Sequence, residues 1–154
     1  VTLPYFHEFY YAEKGKGAFC NQQQIKVTQE TRLDQTLVAY GIDAYLKNPE
    51  KTQKEYELCA SICLKARNIR TSNSVFDAMA LASGKYGAMI CQGSRIWDNV
   101  AQQIIIEEAS GLYTDLLGNQ IDYSSPLKKT KDNFTFCAAP PILHKQLQEI
   151  IHKI

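Results

Sequence analysis

Very little in this chain is extreme, and each missing extreme removes a class of protein. Its 17 Lys and Arg stand against 16 Asp and Glu, a net charge of +1. No nucleic acid or membrane surface is therefore expected as a partner on electrostatic grounds. No apolar run approaches the length needed to cross a bilayer, and no signal-peptide pattern opens the chain. There is no internal repeat and no low-complexity tract. No glycine-rich loop follows a strand and opens a helix, so a generic α/β nucleotide-binding domain finds little support. Lys14-Gly15-Lys16-Gly17 is glycine-rich but sits between two expected strands. The five cysteines, Cys20, Cys59, Cys63, Cys91 and Cys137, are odd in number and lack paired short spacings. That argues against a disulfide framework and for a reducing, cytoplasmic compartment. Cys59 and Cys63 lie four apart on an expected helix, but with no second Cys or His pair nearby they read as core thiols rather than zinc ligands. Asn133-Phe134-Thr135 matches the glycosylation pattern, which the reducing compartment discounts.

What remains is ordinary for a soluble globular protein: 45% hydrophobic and 21% charged residues in a chain of 154. That length is enough for a core burying roughly two-thirds of the unfolded surface. Residues 8–28 read as a hairpin, with strands at Glu8–Glu13 and Gln24–Thr28. Thr36–Tyr40 is a short apolar strand. Pro49 precedes a helix from Glu50 to Ala66, whose expected buried stripe is Tyr56, Cys59, Ile62 and Cys63. Asn68–Thr71 is a strand, and Ser74–Ser83 a helix stopped by Gly84. Gly87–Gln92, Gly111–Asp115 and Phe134–Ala138 read as strands. Pro140-Pro141 opens a last helix with Leu143, Leu147, Ile150, Ile151 and Ile154 at helical spacing. Ser124–Asn133 is polar and lysine-rich, a surface loop. Strands alternating with helices predict a sheet packed between helices, mostly parallel with room for one antiparallel strand.

The most informative stretch runs from Trp97 to Gly111. Val100, Ala101, Ile104, Ile105 and Ala109 fall at helical spacing and predict one buried face. Asp98 lies in the first turn, where free N–H groups and the helix dipole favour a carboxylate. Such a carboxylate is either a cap or a ligand for a hard cation. Ser74, with Asp77 three residues on, has the form of a weak capping box, and the same helix start is a natural anion site.

Trp97-Asp98-Asn99-Val100-Ala101-Gln102, ending in Glu108-Ala109-Ser110-Gly111, resembles the second signature of the inositol monophosphatase family, Trp-Asp-x-Ala-Ala-Gly … Glu-Ala-Gly-Gly. The agreement continues along the chain. Residues 11–21 resemble the family's Ala-x-x-Gly-x-Gly-Ala-x-x-Asn hairpin, and Arg70 through Gly84 its Arg-x-x-Gly-Ser-x-Ala segment with a Val-Ala-x-Gly ending. Thr114-Asp115-Leu116-Leu117-Gly118 resembles its Thr-Asp-x-x-Gly turn. The resemblance implies the C-terminal half of an inositol monophosphatase-like α/β layered sandwich and a magnesium-dependent phosphomonoesterase. Asp98 would ligate Mg2+, and metal ions would activate a water, polarise the phosphoryl group and stabilise the leaving alkoxide. By position, Ser74 and Val75 would contact a phosphorylated small-molecule substrate. Arg70 would touch substrate or support a homodimer interface. Cys91 stands where some sugar-alcohol-specific members carry a Glu that binds substrate hydroxyls. Departures are visible as well: Asn73, Val100, Gln102 and Ser110 replace small residues of the pattern and are expected to narrow the pocket.

The family's first signature, Asp-Pro-x-Asp-Gly-Thr, and the Glu-Glu pair before it do not precede the hairpin here. The chain begins at Val1, and Glu107-Glu108 is its one Glu-Glu pair. The expectation is therefore a C-terminal half, inactive alone and contributing no complete catalytic group. Residues 1–30 would be a hairpin belonging to a first sheet built elsewhere, pairing with another copy or disordered, and residues 31–154 a C-terminal α/β domain. A non-catalytic relative used for binding or assembly is the alternative, motivated by the substitutions around the pocket.

Overall fold

A computed structural model describes all residues, Val1–Ile154. Its first sheet is an antiparallel meander of β1 (Thr2–Leu3), β2 (Glu8–Glu13), β3 (Gly17–Cys20) and β4 (Gln23–Ile25). Sequence reading gave one hairpin here, with its return strand at Gln24–Thr28; the chain instead turns back twice. The second turn is only Asn21-Gln22, at φ 46 and 71, the two-residue geometry that matches strand twist. It carries no glycine to mark it. The Asn21 side chain holds it instead, accepting from Phe9 N at 2.9 Å and donating to His7 O at 2.8 Å.

The second sheet is ordered β6-β5-β7-β9-β8. Its strands are β5 (Leu37–Gly41), β6 (Asn68–Thr71), β7 (Ala88–Ser94), β8 (Leu112–Thr114) and β9 (Phe134–Ala139). β5 pairs in parallel with β6 and β7, while β9 runs antiparallel to both β7 and β8, so β9 alone is reversed. Parallel pairing needs crossovers, supplied by α1 (Pro49–Cys63) and α2 (Val75–Ala82); α3 (Ile96–Glu108) joins β7 to β8, and α4 (Pro141–Ile151) follows β9. No helix is long and apolar enough to cross a membrane.

Strand alternation divides the core in two. Val38, Tyr40, Ala88 and Ile90 point towards α1 and α4, packing with Ile62, Leu143 and Leu147. Ala39, Met89 and Cys91 point the other way, towards α2, α3 and the first sheet, with Tyr10, Ala18, Met79 and Ile106. The layers are thus sheet, helix pair, sheet, helix pair, the α/β sandwich expected from sequence.

Residues of the first sheet share this second core. Tyr10 and Ala18 are buried against it, and Glu108 at the end of α3 accepts Gly15 N and Gly17 N, each at 2.8 Å. Those two backbone bonds hold the Glu108 carboxyl below its usual range. On the opposite face the rings of Phe9, Tyr11 and Phe19 stack in a row, with centroids 5.6 and 5.3 Å apart.

Two helices are rotated from their expected phase. α1 buries Glu55, Leu58, Cys59 and Ile62, while Tyr56 and Cys63 are exposed. α3 turns Ile96, Asn99, Gln102, Ile105 and Ile106 inward and leaves Val100 and Ala101 outside. In α4, Leu143 and Leu147 are buried as expected, but Ile154 lies exposed beyond the helix end.

Candidate functional site

The expected site residues lie where β6 and β7 deliver the chain into α2 and α3. At α2 the organiser is Asp77, fully buried. Its Oδ2 accepts Ser72 Oγ at 2.7 Å, Ser74 Oγ at 2.8 Å and Ser74 N at 3.1 Å. Its Oδ1 lies 3.2 Å from Arg70 Nε, an ion pair rather than an aligned hydrogen bond. Asp77 thus caps α2 from inside the helix, and the Ser74 hydroxyl hydrogen is directed to it. Arg70 also lies over the Phe76 ring, 5.8 Å from its centroid.

At α3 the third residue is Asp98. Its Oδ2 accepts Arg95 N at 3.0 Å, which is the cap read from sequence. Oδ1 carries no such bond. The two readings of Asp98 are therefore compatible, one oxygen serving each. The neighbouring cation does not compete, because Arg95 Nη1 donates to Lys131 O at 2.6 Å and Asp132 O at 2.9 Å. Asp98 takes part in none of the chain's ion pairs.

A cavity of about 350 Å³ opens between these helix starts, and Ser74, Val75, Trp97 and Asp98 line it together. Asp98 is the one charged side chain in its wall. Arg70 and Cys91 are not brought to it. Cys91 is completely buried in β7 and its thiol donates to Gly93 O at 3.2 Å. Burial pushes that thiol up to about 11, so it presents neither a thiolate nor an open acceptor. A larger groove of about 550 Å³ lies between α4 and the segments around Arg32 and Lys65, with Glu149 also in its wall, and contains none of the expected residues.

The wall chemistry suits a hard cation as far as it goes. Magnesium is commonly held by one or two carboxylates together with waters and substrate phosphates, and Asp98 Oδ1 is a free carboxylate oxygen. No group of three or more His, Cys, Asp or Glu side chains in the chain can hold a metal ion. Asp98 fits magnesium as one member of a set that residues 1–154 do not complete.

Sequence reading missed what lies under α3. Asn99 and Gln102 are buried and hydrogen-bonded to each other, to Ser94 and to Tyr113. Both Ser94 and Gln102 reach the cavity wall. The available signal was two amides three residues apart on one helix, with a Tyr on the next strand. Of the four departures from the family pattern, Asn73 and Gln102 line the cavity and Val100 does not. Asn73 packs so closely on Gly41 that a Cβ there would sit 2.8 Å from its Cγ. Ser110 takes a left-handed φ of 73 just after α3.

Comparison with known proteins identifies the family. A fructose-1,6-bisphosphatase/inositol-1-monophosphatase of Methanothermobacter thermautotrophicus is 30% identical over 151 residues, 96% of this chain and 50% of that protein. Human inositol monophosphatase 2 is 34% identical over 119 residues, 73% of this chain and 40% of its own length. The chain therefore spans half or less of these curated relatives. Among solved structures, the extragenic suppressor protein suhB of Bartonella henselae has a similar fold, with a TM-score of 0.81 at 22% identity over 97% of this chain and 54% of the other. The profile of one family runs the whole length of the sequence, residues 1–154, and the chain belongs to the inositol monophosphatase family.

Proposed function

We propose that residues 1–154 are the C-terminal portion of a magnesium-dependent phosphomonoesterase acting on a phosphorylated small molecule. The observation that carries this is Asp98, anchored through one oxygen to Arg95 N and open through the other to the cavity it shares with Ser74 and Val75. Bound there, magnesium would supply charge stabilisation for an in-line displacement at phosphorus. The chain's own part is to hold Asp98 rigid in the first turn of α3 and to shape the substrate wall with Ser74 and Val75. Arg70 acts on that wall indirectly, through its pair with Asp77. The remaining acidic ligands come from outside these residues, so the isolated segment is expected to hydrolyse nothing measurable. A homodimer in a reducing, cytoplasmic compartment belongs to the same proposal, supported in part by five unpaired thiols.

The test is phosphatase activity of the full natural polypeptide on inositol, fructose and nucleotide phosphates with magnesium, beside Asp98→Asn. Metal-dependent turnover lost in a folded Asp98→Asn protein is the expected result. Undiminished turnover in that variant, or ready turnover by residues 1–154 alone, would overturn it. A second reading, a non-catalytic relative that binds the same ligand class, is favoured by Asn73 and Gln102 standing in the cavity wall where the family pattern has glycine. Binding without turnover on every ester would establish it.

A further inference from the structure

Gln102 lines the cavity one helical turn beyond Asp98, and the bonds beneath it determine which end of its amide faces in. A backbone carbonyl only accepts, and that of Phe134 starts the series. Ser94 Oγ donates to Phe134 O at 2.9 Å and so accepts Asn99 Nδ2 at 3.0 Å. Asn99 therefore turns its Oδ1 the other way, where the Tyr113 hydroxyl donates to it at 3.1 Å. With its hydrogen directed there, the Tyr113 oxygen accepts Gln102 Nε2 at 2.9 Å, and the same nitrogen lies 3.3 Å from Asn99 Oδ1. Both amide hydrogens of Gln102 face buried oxygens. Its carbonyl Oε1 is the polar group left for the cavity.

The hydroxyl and side-chain amide donors elsewhere around that cavity also point away from it. Ser74 Oγ donates to Asp77 and Ser94 Oγ to Phe134 O, while Asn73 Nδ2 lies 3.4 Å from Gly93 O. Two side-chain acceptors are left for the space, Asp98 Oδ1 and Gln102 Oε1, beside the Trp97 indole. A directed acceptor such as Gln102 Oε1 takes a ligand group that brings its own donor, and a hydroxyl is a neutral group that does so.

We propose that Gln102 is a specificity-determining residue whose Oε1 accepts a hydrogen bond from a hydroxyl of a polyol phosphate. The phosphate part rests on the phosphomonoesterase reading, whereas the hydroxyl contact rests on the amide network. A site built around a directed acceptor discriminates strongly against ligands lacking the matching donor. Cys91, the sequence's candidate for this contact, has no access to it.

The experiment is calorimetric titration of the full natural polypeptide with free myo-inositol in EDTA, so that neither turnover nor metal is needed. Gln102→Met keeps the side-chain volume and removes the acceptor. Weakening by about fivefold is expected, the loss of one hydrogen bond, while Gln103→Ala, outside the cavity wall, leaves affinity unchanged. Tyr113→Phe, which frees the amide to rotate, is expected to weaken binding as well. No binding by the native protein, or equal affinity in folded Gln102→Met, overturns the proposal. Should Gln102→Met fail to fold, unchanged affinity in Tyr113→Phe overturns it. Magnesium-dependent turnover is measured separately: its absence beside retained polyol binding removes the phosphatase reading and leaves this one standing.

Discussion

Replacing Asp77 is the sharpest test of how the α2 end of the site is held. Three donors converge on its Oδ2 at 2.7, 2.8 and 3.1 Å, two of them hydroxyls and one the Ser74 amide. Hydrogen bonds to a charged group contribute about 1.5–3 kcal/mol each, but the serine hydroxyls can rotate and Ser74 lies close enough to water to recover part of its loss. Removing Asp77 also removes the cost of burying it. Asp77→Ala is therefore expected to cost about 2–4 kcal/mol, well below the simple sum. For a domain of this size that is a fall in Tm of roughly 5–15 °C. Arg70→Ala should cost about 1 kcal/mol or less, because its side chain is 52% exposed and Asp77 retains its three other donors. Asp77→Asn should fall between them, since one amide cannot accept from the serine donors and face Arg70 without setting a donor against a donor. Urea unfolding of the three variants measures the order directly. If Arg70→Ala proves as costly as Asp77→Ala, the ion pair holds the turn and the reasoning from the serine fan is wrong.

The hairpin and the backbone give further tests. Glu108→Ala removes both acceptors for the Gly15 and Gly17 amides, and faster hydrogen exchange at those two amides, with β5 and β7 unaffected, is the expected signature. Ser110 stands at φ 73, where an L side chain costs about 1–2 kcal/mol. Ser110→Gly should stabilise by about 0.5–1 kcal/mol in thermal melts, after the extra chain entropy of glycine is subtracted. Stability should also fall in alkali. Burial pushes the Cys91 thiol from 9.0 up to about 11, so above pH 9 the unfolded chain loses its proton first. The stability present below pH 9 then drains away by about pH 11, and Cys91→Ala should flatten that part of the curve. At neutral pH a thiol reagent should react quickly with exposed Cys63 and slowly with Cys91 and Cys137, which are buried; equal rates would contradict the packing.

Strands β5, β7 and β9 were legible in the sequence because they contain short apolar runs ended by turn residues. The α2 start was legible too, because Ser74 and Asp77 carry their own local hydrogen bonds. Helix phase was not. Hydrophobic periodicity put Val100 inside α3 and Tyr56 inside α1, and both are exposed, while Gln102 and Glu55 are buried in their helices. The cause is the same in each helix. A buried polar side chain reads as a surface residue until its tertiary partner is known. Gln102 has the Tyr113 hydroxyl at 2.9 Å, and Glu55 has Asp43 N at 3.4 Å and Lys51 Nζ at 3.7 Å. The site was read with the same asymmetry. Asp98 could be placed as a cap because a first-turn carboxylate is a local fact, whereas its metal role and the roles of Ser74, Val75, Arg70 and Cys91 were assigned by their place in a family pattern. The cavity is lined by Asp98, Ser74 and Val75 but not by Arg70 or Cys91. Gln102 shows why position alone does not transfer a role. Where the family pattern has a glycine, this chain has a side chain long enough to reach from the Tyr113 hydroxyl to the cavity, and what that side chain presents depends on four partners that only the folded protein brings together.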